Sequence, residues 1–183
     1  GALLRILSWV CFHALSTIVG LCLSFKPDVI LSPSPPLSIG INAYVLSRLR
    51  RAVYIYNVQE LYPDIAVNLG MVKNKRLIAA LSRIEHFIYD HAAAVTAITP
   101  SIRDKVCGRI KESSRVHLIP NYVADSDVAE ADRDNAFARQ HGITGCFVVT
   151  YAGNLGVPQN LQILLDAAIL LRDVEKVVFL IIG

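Results

Sequence analysis

Two short stretches of this 183-residue sequence carry residue types that could do chemistry. The first, "FVVTYAGNLGVPQNLQILLDAA" (Phe147–Ala168), reads as a strand, a turn bearing Gly153 and Gly156, and a helix opened at Gln159. Glycines let backbone approach a ligand closely, and amides at a helix start carry partial positive charge. Such a turn can hold a phosphate through N–H groups alone. It contains no lysine or arginine, and on spacing alone a tight strand–helix connection is the simpler reading. The second stretch, "NVQELYPD" (Asn57–Asp64), sets Glu60 and Asp64 four residues apart beside Gln59, whose amide both donates and accepts. Paired carboxylates do acid–base work when their environments separate their pKa values. The plainer alternative is an acidic helix start stabilised by the dipole. It suits Asp64, after Pro63, better than Glu60, at a strand end.

The elements that must position these residues alternate along the chain. Asp28–Pro33, Ala52–Val58, Ala94–Ile98 and Arg115–Pro120 are short β-rich runs. Between them, Leu37–Arg50 and Asn74–Ala92 have helical apolar spacing, and Thr99 with Pro100 supplies an N-cap and a favoured first position for the helix through Ile110. Strand–helix alternation with nearly continuous apolar strands implies a parallel sheet covered on both faces, an α/β fold. Asn121–Ser126 reads as a linker, followed by a helix near Asp132–His141. A further β-α-β unit then runs through Cys146–Ala152, Gln159–Arg172 and Val177–Ile182. That unit lacks sheet neighbours and a second layer, so residues 124–183 are expected to be the start of an incomplete second lobe, and residues 1–123 a first lobe clipped at its beginning. Ligands of open parallel sheets sit beyond the carboxyl ends of the strands. Here those ends lead into Ser32–Pro36, Gln59–Asp64, Thr99–Ser101 and Gly153–Gly156.

Composition narrows the classes. With 54% apolar and 18% charged residues the chain is globular. Its four cysteines form no C-x-x-C pair and its five histidines no H-x-x-x-H pair, so no metal site is expected and the thiols fit a reducing compartment. The net charge of +3 is uneven: Gly1–Val123 holds 14 Lys/Arg against 7 Asp/Glu, and Ala124–Gly183 holds 4 against 8. Basic clusters occur at Arg48/Arg50/Arg51 and Lys73/Lys75/Arg76. Ile6–Phe25 is a run of 20 residues without a charge, close to the span of a bilayer. His13, Thr17, Gly20 and Ser24 nevertheless form a strip along one side. This favours a helix packed on a sheet or lying at a membrane surface over a spanning one.

Five segments in order, "KPDVILSPSPPLSIG", "VQELYPD", "VTAITPSIRDKV", "VHLIPNYVAD" and "TYAGNLGVPQNLQILLDAA", resemble the retaining nucleotide-sugar glycosyltransferases with two Rossmann-like lobes, the GT-B fold. The likeness is to the family 4 type, in the bacterial branch that assembles surface polysaccharides, including colanic acid and O-antigen transferases that add aminosugars. It implies that the first lobe binds the acceptor, a lipid-linked saccharide, and the second the nucleotide-sugar donor, a substrate, with no cofactor needed. Carried over by position, Gln59 and Glu60 would face the transferring sugar as catalytic residues. Gly153, Asn154, Gly156 and Asn121 would bind the donor, and Ser34, Asp64 and Ser101 would lie on the acceptor side. Many relatives have His-Asp at Gln59-Glu60 and Arg and Lys in the diphosphate turn, where this chain has Asn154 and Gln159, so donor binding is expected to lean on backbone amides.

The basic balance of the first lobe, its two basic clusters and the apolar face of the first helix lead to the expectation of a cytoplasmic protein held peripherally on the inner membrane face, with an anionic membrane surface as partner and no nucleic acid. A lipid-linked acceptor, as the resemblance implies, would make such docking useful. A fragment of this kind is expected to be inactive alone. Two competing readings are an NAD-dependent oxidoreductase, whose G-x-G-x-x-G after a strand is not present, and a non-catalytic acceptor-lobe module of a split transferase or a membrane-docked binding protein.

Overall fold

The computed structural model describes residues 2–124, 132–156 and 159–183. The chain divides into two units, Gly1–Tyr122 and Val123–Gly183. The expected linker at Asn121–Ser126 falls partly outside the described residues.

The first unit opens with helix α1 (Ala2–Cys22) and continues through β1 (Val29–Pro33), α2 (Ser38–Arg50), β2 (Val53–Val58), α3 (Asp64–Asn68), α4 (Lys75–His91), β3 (Ala94–Ala97), α5 (Pro100–Cys107) and β4 (Val116–Leu118). The four strands are parallel in the order β1-β2-β3-β4. When each crossover leads to the next strand along, right-handed connections put every helix on one side of the sheet. The core accordingly joins Leu37 and Ala43, Tyr54, Tyr56 and Val58 of β2, Ile88 and Tyr89 of α4, Val95, and Val106 of α5. The alternate positions point the other way. Val29, Leu31 and Val53 remain 51, 64 and 48% exposed. Cover on both faces was the expectation; among the described residues helices pack on one face only, because the strands follow one another without a reversal of direction across the sheet.

Local signals set the helix ends. Thr99 Oγ1 accepts the Ile102 N–H at 3.2 Å, as the Thr-Pro pair predicts. Asn74 caps α4 by accepting from Arg76 and Leu77. α2 comes so close to α4 that a Cβ on Gly40 would lie 2.7 Å from Ile88 Cγ2.

α1 packs on α2, not on the sheet, and it does so through its polar strip. His13 Nε2 meets Ser38 Oγ at 2.8 Å, Thr17 Oγ1 donates to Asn42 Oδ1, and Asn42 Nδ2 donates to Ser16 Oγ at 2.8 Å. The Arg50 guanidinium donates to the carbonyls of Leu21, Leu23 and Phe25 at and just beyond the end of α1, satisfying orphan acceptors there. Arg50 therefore leaves the basic cluster in which the sequence placed it, and Ser24 lies past the helix. The opposite side of α1 carries Leu7, Leu15 and Ile18, flanked by Phe12 and Val19, all exposed; Trp9, four residues before His13, falls on the strip's own side and is exposed as well. Among the described residues, no helix is long and apolar enough to cross a membrane.

One ionic cluster ties the helices together. Glu85 of α4 is 1% exposed, and both its oxygens accept from Arg109 Nη1 at 3.0 and 2.9 Å. Tyr89 Oη donates to Glu85 at 2.9 Å, and Arg109 Nη2 reaches Asp64 at the start of α3 at 2.6 Å. Burial holds the Glu85 carboxyl above its ordinary range despite the opposing pull of Tyr89 and Arg109. At the other end of α4, Asp90 accepts the Lys111 N–H, and Arg115 donates to the carbonyls of Asp90 and Ala92.

The second unit comprises α6 (Ala136–Gln140), β5 (Phe147–Ala152), α7 (Gln162–Leu170) and β6 (Val177–Ile182), with β5 and β6 paired in parallel. α7 starts at Gln162, three residues later than expected: Asn160 adopts φ 45°, which delays the entry into the helix.

Two stability outcomes follow. Gly40→Val should lower stability by about 1–3 kcal/mol, since the fully buried Ile88 has no room to withdraw; a thermal midpoint equal to that of the wild type would show that the α2–α4 contact yields freely. Arg109→Met should cost about 3–5 kcal/mol at neutral pH by stranding the Glu85 carboxylate. The folded-state pKa of Glu85 is raised, so the native state holds the proton more tightly than the unfolded chain. The penalty is therefore smallest below the unfolded value of about 4.3 and grows as pH rises through the folded value. Urea titrations that give the same loss on the acid and alkaline sides of that window would contradict this.

Candidate functional site

In the first unit, the carboxyl ends of the four strands converge on one polar group. The β1–β2 ladder extends past β1 through the Ser34 N–H, which donates to Asn57 O at 2.9 Å. Ser34, only 4% exposed, then bridges the two loops. Its Oγ accepts the Gln59 N–H at 3.1 Å and donates to Glu60 O at 3.5 Å. A hydroxyl between two backbone groups fixes where the Gln59-Glu60 dipeptide leaves the sheet. Asp64 holds the far end of the same loop through Arg109. The loop is thus fastened at both ends, and Asp64 is engaged in an ion pair.

Gln59 sits in a chain of neutral side chains. Asn121 Nδ2 donates to Gln59 Oε1 at 2.9 Å, Gln59 Nε2 donates to Asn57 Oδ1, and Asn57 Nδ2 donates to Thr96 Oγ1 at 2.7 Å. This chain crosses from beyond β4 through β2 to β3. It joins Gln59 and Asn121, two residues singled out from the sequence, and adds Asn57 and Thr96, which were not. Their signal was faint: polar side chains inside otherwise apolar strands. Glu60 is half-buried, and its carboxylate has no hydrogen-bond or ion-pair partner among the described residues. Burial, with Glu60 nearby, pushes the Tyr62 phenol up. Ser101 is exposed in the first turn of α5, at the carboxyl end of β3.

In the second unit, the turn after β5 is closed on the sheet by the Gly153 N–H, which donates to Ile182 O at 2.9 Å. Gly153 has φ 157°, and a Cβ there would stand 3.3 Å from the Tyr151 hydroxyl oxygen. That hydroxyl donates to Asn154 O at 2.8 Å, and Gly156 O accepts the Gln159 N–H at 3.2 Å. Asn154 is exposed. The turn presents backbone and one amide side chain, with no cation.

Comparison with known proteins fits this arrangement. Residues 3–122 match the family described as Glycosyl transferase 4-like domain. WcaI of Escherichia coli (strain K12), described as a colanic acid biosynthesis glycosyl transferase, is 26% identical over 165 residues, which cover 87% of this chain and 40% of the relative. The chain thus spans well under half the length of that protein. Among solved structures, Anabaena Alr3699/HepE in complex with UDP and glucose superposes with a TM-score of 0.64 at 15% identity, covering 92% of this chain and 42% of that one. The same protein with UDP-glucose gives 0.57 at 12% identity, covering 93% and 51%. At these identities the likeness is one of fold, and it supports the α/β, GT-B-like class read from the sequence. With two thirds of its residues matched, this chain belongs to the glycosyl transferase 4-like domain family.

Proposed function

We propose that the chain forms the acceptor-side lobe and the first part of the donor lobe of a retaining glycosyltransferase. The reaction would move a sugar from a nucleotide-sugar donor to a lipid-linked saccharide during surface polysaccharide assembly, in the cytoplasm at the inner membrane face. The observation that carries this reading is the family match over residues 3–122, which contains the polar group at the strand ends. WcaI's colanic acid assignment and the UDP and UDP-glucose bound to HepE favour a polysaccharide product and a nucleotide-sugar donor.

In such a transfer the bond from the sugar's anomeric carbon to the diphosphate breaks, and a bond to an acceptor oxygen forms on the same face. The acceptor proton leaves with the nucleoside diphosphate. Positive charge builds on the sugar, where an unpartnered carboxylate such as Glu60 lowers the barrier. Gln59, held by Asn121 and Asn57, would present its amide in a fixed direction, while amides of the Gly153–Gly156 turn would meet the departing diphosphate.

α1 supports the membrane part of the proposal. Its polar side is occupied by α2, its apolar side is open, and Arg48, Arg51, Lys73, Lys75 and Arg76 are exposed on the same unit. Basic residues near an anionic leaflet contribute on the order of 1 kcal/mol each.

The proposal is tested with the full-length protein and a panel of nucleotide sugars; lack of transfer from every one would favour a non-catalytic module. Glu60→Gln should reduce kcat by about 100-fold or more with little change in thermal midpoint, and full activity in that variant would remove Glu60 from the reaction. Gly153→Val should weaken donor binding while leaving acceptor binding intact, and unaltered donor affinity in a folded variant would leave the turn a purely structural connection. Flotation with phosphatidylglycerol vesicles should show binding that falls with salt. Binding indifferent to both salt and lipid charge would rule out surface docking.

A further inference from the structure

A polar cavity of about 800 Å³ lies at the amino ends of β2 and β3, away from the strand ends that carry Ser34, Gln59 and Ser101. Arg48, Arg51, Arg115, His91, Ser47 and Tyr54 contribute to its wall, and no carboxylate does. Arg115 is held in place by the carbonyls of Asp90 and Ala92, with Glu112 at 3.3 Å from its Nε. Arg48 and Arg51 have no hydrogen-bonded or ion-paired side-chain partner among the described residues. Arg115 already has Glu112, so Arg48 and Arg51 bring two uncompensated positive charges to one cavity, where an anion between them lowers their repulsion.

One further observation points to a ligand. Arg51 sits at the end of α2 with φ 54°, in the left-handed region where glycine is the default helix terminator. A long cation at a glycine position is disfavoured by the backbone, so something other than local geometry calls for it.

We propose that this cavity is an anion site that takes a phosphate group. Planar guanidinium forks suit an anion with several oxygens better than a halide or a single carboxylate. The phosphate could belong to a soluble phosphate ester or to a lipid headgroup, since Arg50, between Arg48 and Arg51, holds the end of α1. The site does not depend on the transferase reading: a protein without transferase activity would still bind phosphate here.

The test uses the full-length protein, inorganic phosphate, and vesicles of phosphatidylglycerol or phosphatidylcholine. Arg48→Gln/Arg51→Gly removes two cations and relieves the left-handed strain, so it should fold as well as the wild type. Lys73→Gln/Lys75→Gln removes the same charge elsewhere. The wild type should show a saturable rise in melting temperature with phosphate. The pocket variant should lose affinity by about tenfold or more, and the lysine variant should keep it. A matching loss of phosphatidylglycerol binding, greater than in the lysine variant, would assign the phosphate to a lipid; loss of the soluble response alone would assign it to a free ester. Equal losses in the two variants, no loss in the pocket variant, or a wild type with neither a saturable phosphate response nor a preference for phosphatidylglycerol would overturn the proposal.

Discussion

A carboxylate that is almost wholly out of water must be met by a cation, and in the first unit that requirement falls on Arg109. The guanidinium answers Glu85 with one nitrogen and Asp64 with another, so a single side chain joins α4, α3 and the segment after α5. The reach of this constraint exceeds its local energy. Asp64 ends the loop that begins at Gln59, so the direction in which Glu60 leaves the sheet depends on a charge pair set back from it. Ser34 supplies the second fixed point, and between them the loop has little freedom to wander. Buried ion pairs contribute modestly to net stability when intact and cost much when broken. Here the geometric consequence, a defined loop, is the one that bears on function.

α1 follows the opposite logic from most surface helices. Its hydroxyl and imidazole groups turn inward onto α2, where they pair with Ser38 and the Asn42 amide, and its apolar side chains away from that contact turn out. Interhelical polar contacts of this kind do not rely on the hydrophobic effect, so they persist when the outer face leaves water for a less polar medium. Arg50 completes the arrangement by satisfying carbonyls that would otherwise be left bare where α1 ends.

The alternation of elements could be read from the sequence because each carries its own periodicity and cap: the β-branched run of β2, the apolar spacing of α4, Thr99 before Pro100. The strand-end loops were legible for the same reason, and with them Ser34, Gln59, Glu60 and Ser101 as neighbours of one edge. What escaped was whatever depends on distant partners. Glu85 and Tyr89 show helical spacing, but nothing local says that Arg109 will meet them. The strip of His13, Thr17 and Gly20 was visible, yet its target, α2 and not a sheet, was not. Asn57 and Thr96 lie on the strand face opposite the core, and their pairing follows from the β2–β3 register, which nothing local in the sequence names. The single-sided sheet is itself a property of strand order, which periodicity does not encode.

That strand order also bears on how the chain is made. Each strand of the first unit after β1 pairs with the one synthesised just before it, so the sheet can grow in the direction of translation without waiting for a distant segment. The exception is electrostatic. Arg109 follows Glu85 by 24 residues, an interval of roughly one to five seconds at ordinary elongation rates. During that interval the carboxylate has no counter-charge, and water is its best solvent. Docking α4 on the sheet before Arg109 is made would bury that charge uncompensated, at a cost of several kcal/mol. Arg109 enters the chain before β4, so the counter-charge of Glu85 is in hand when the last strand of the sheet arrives.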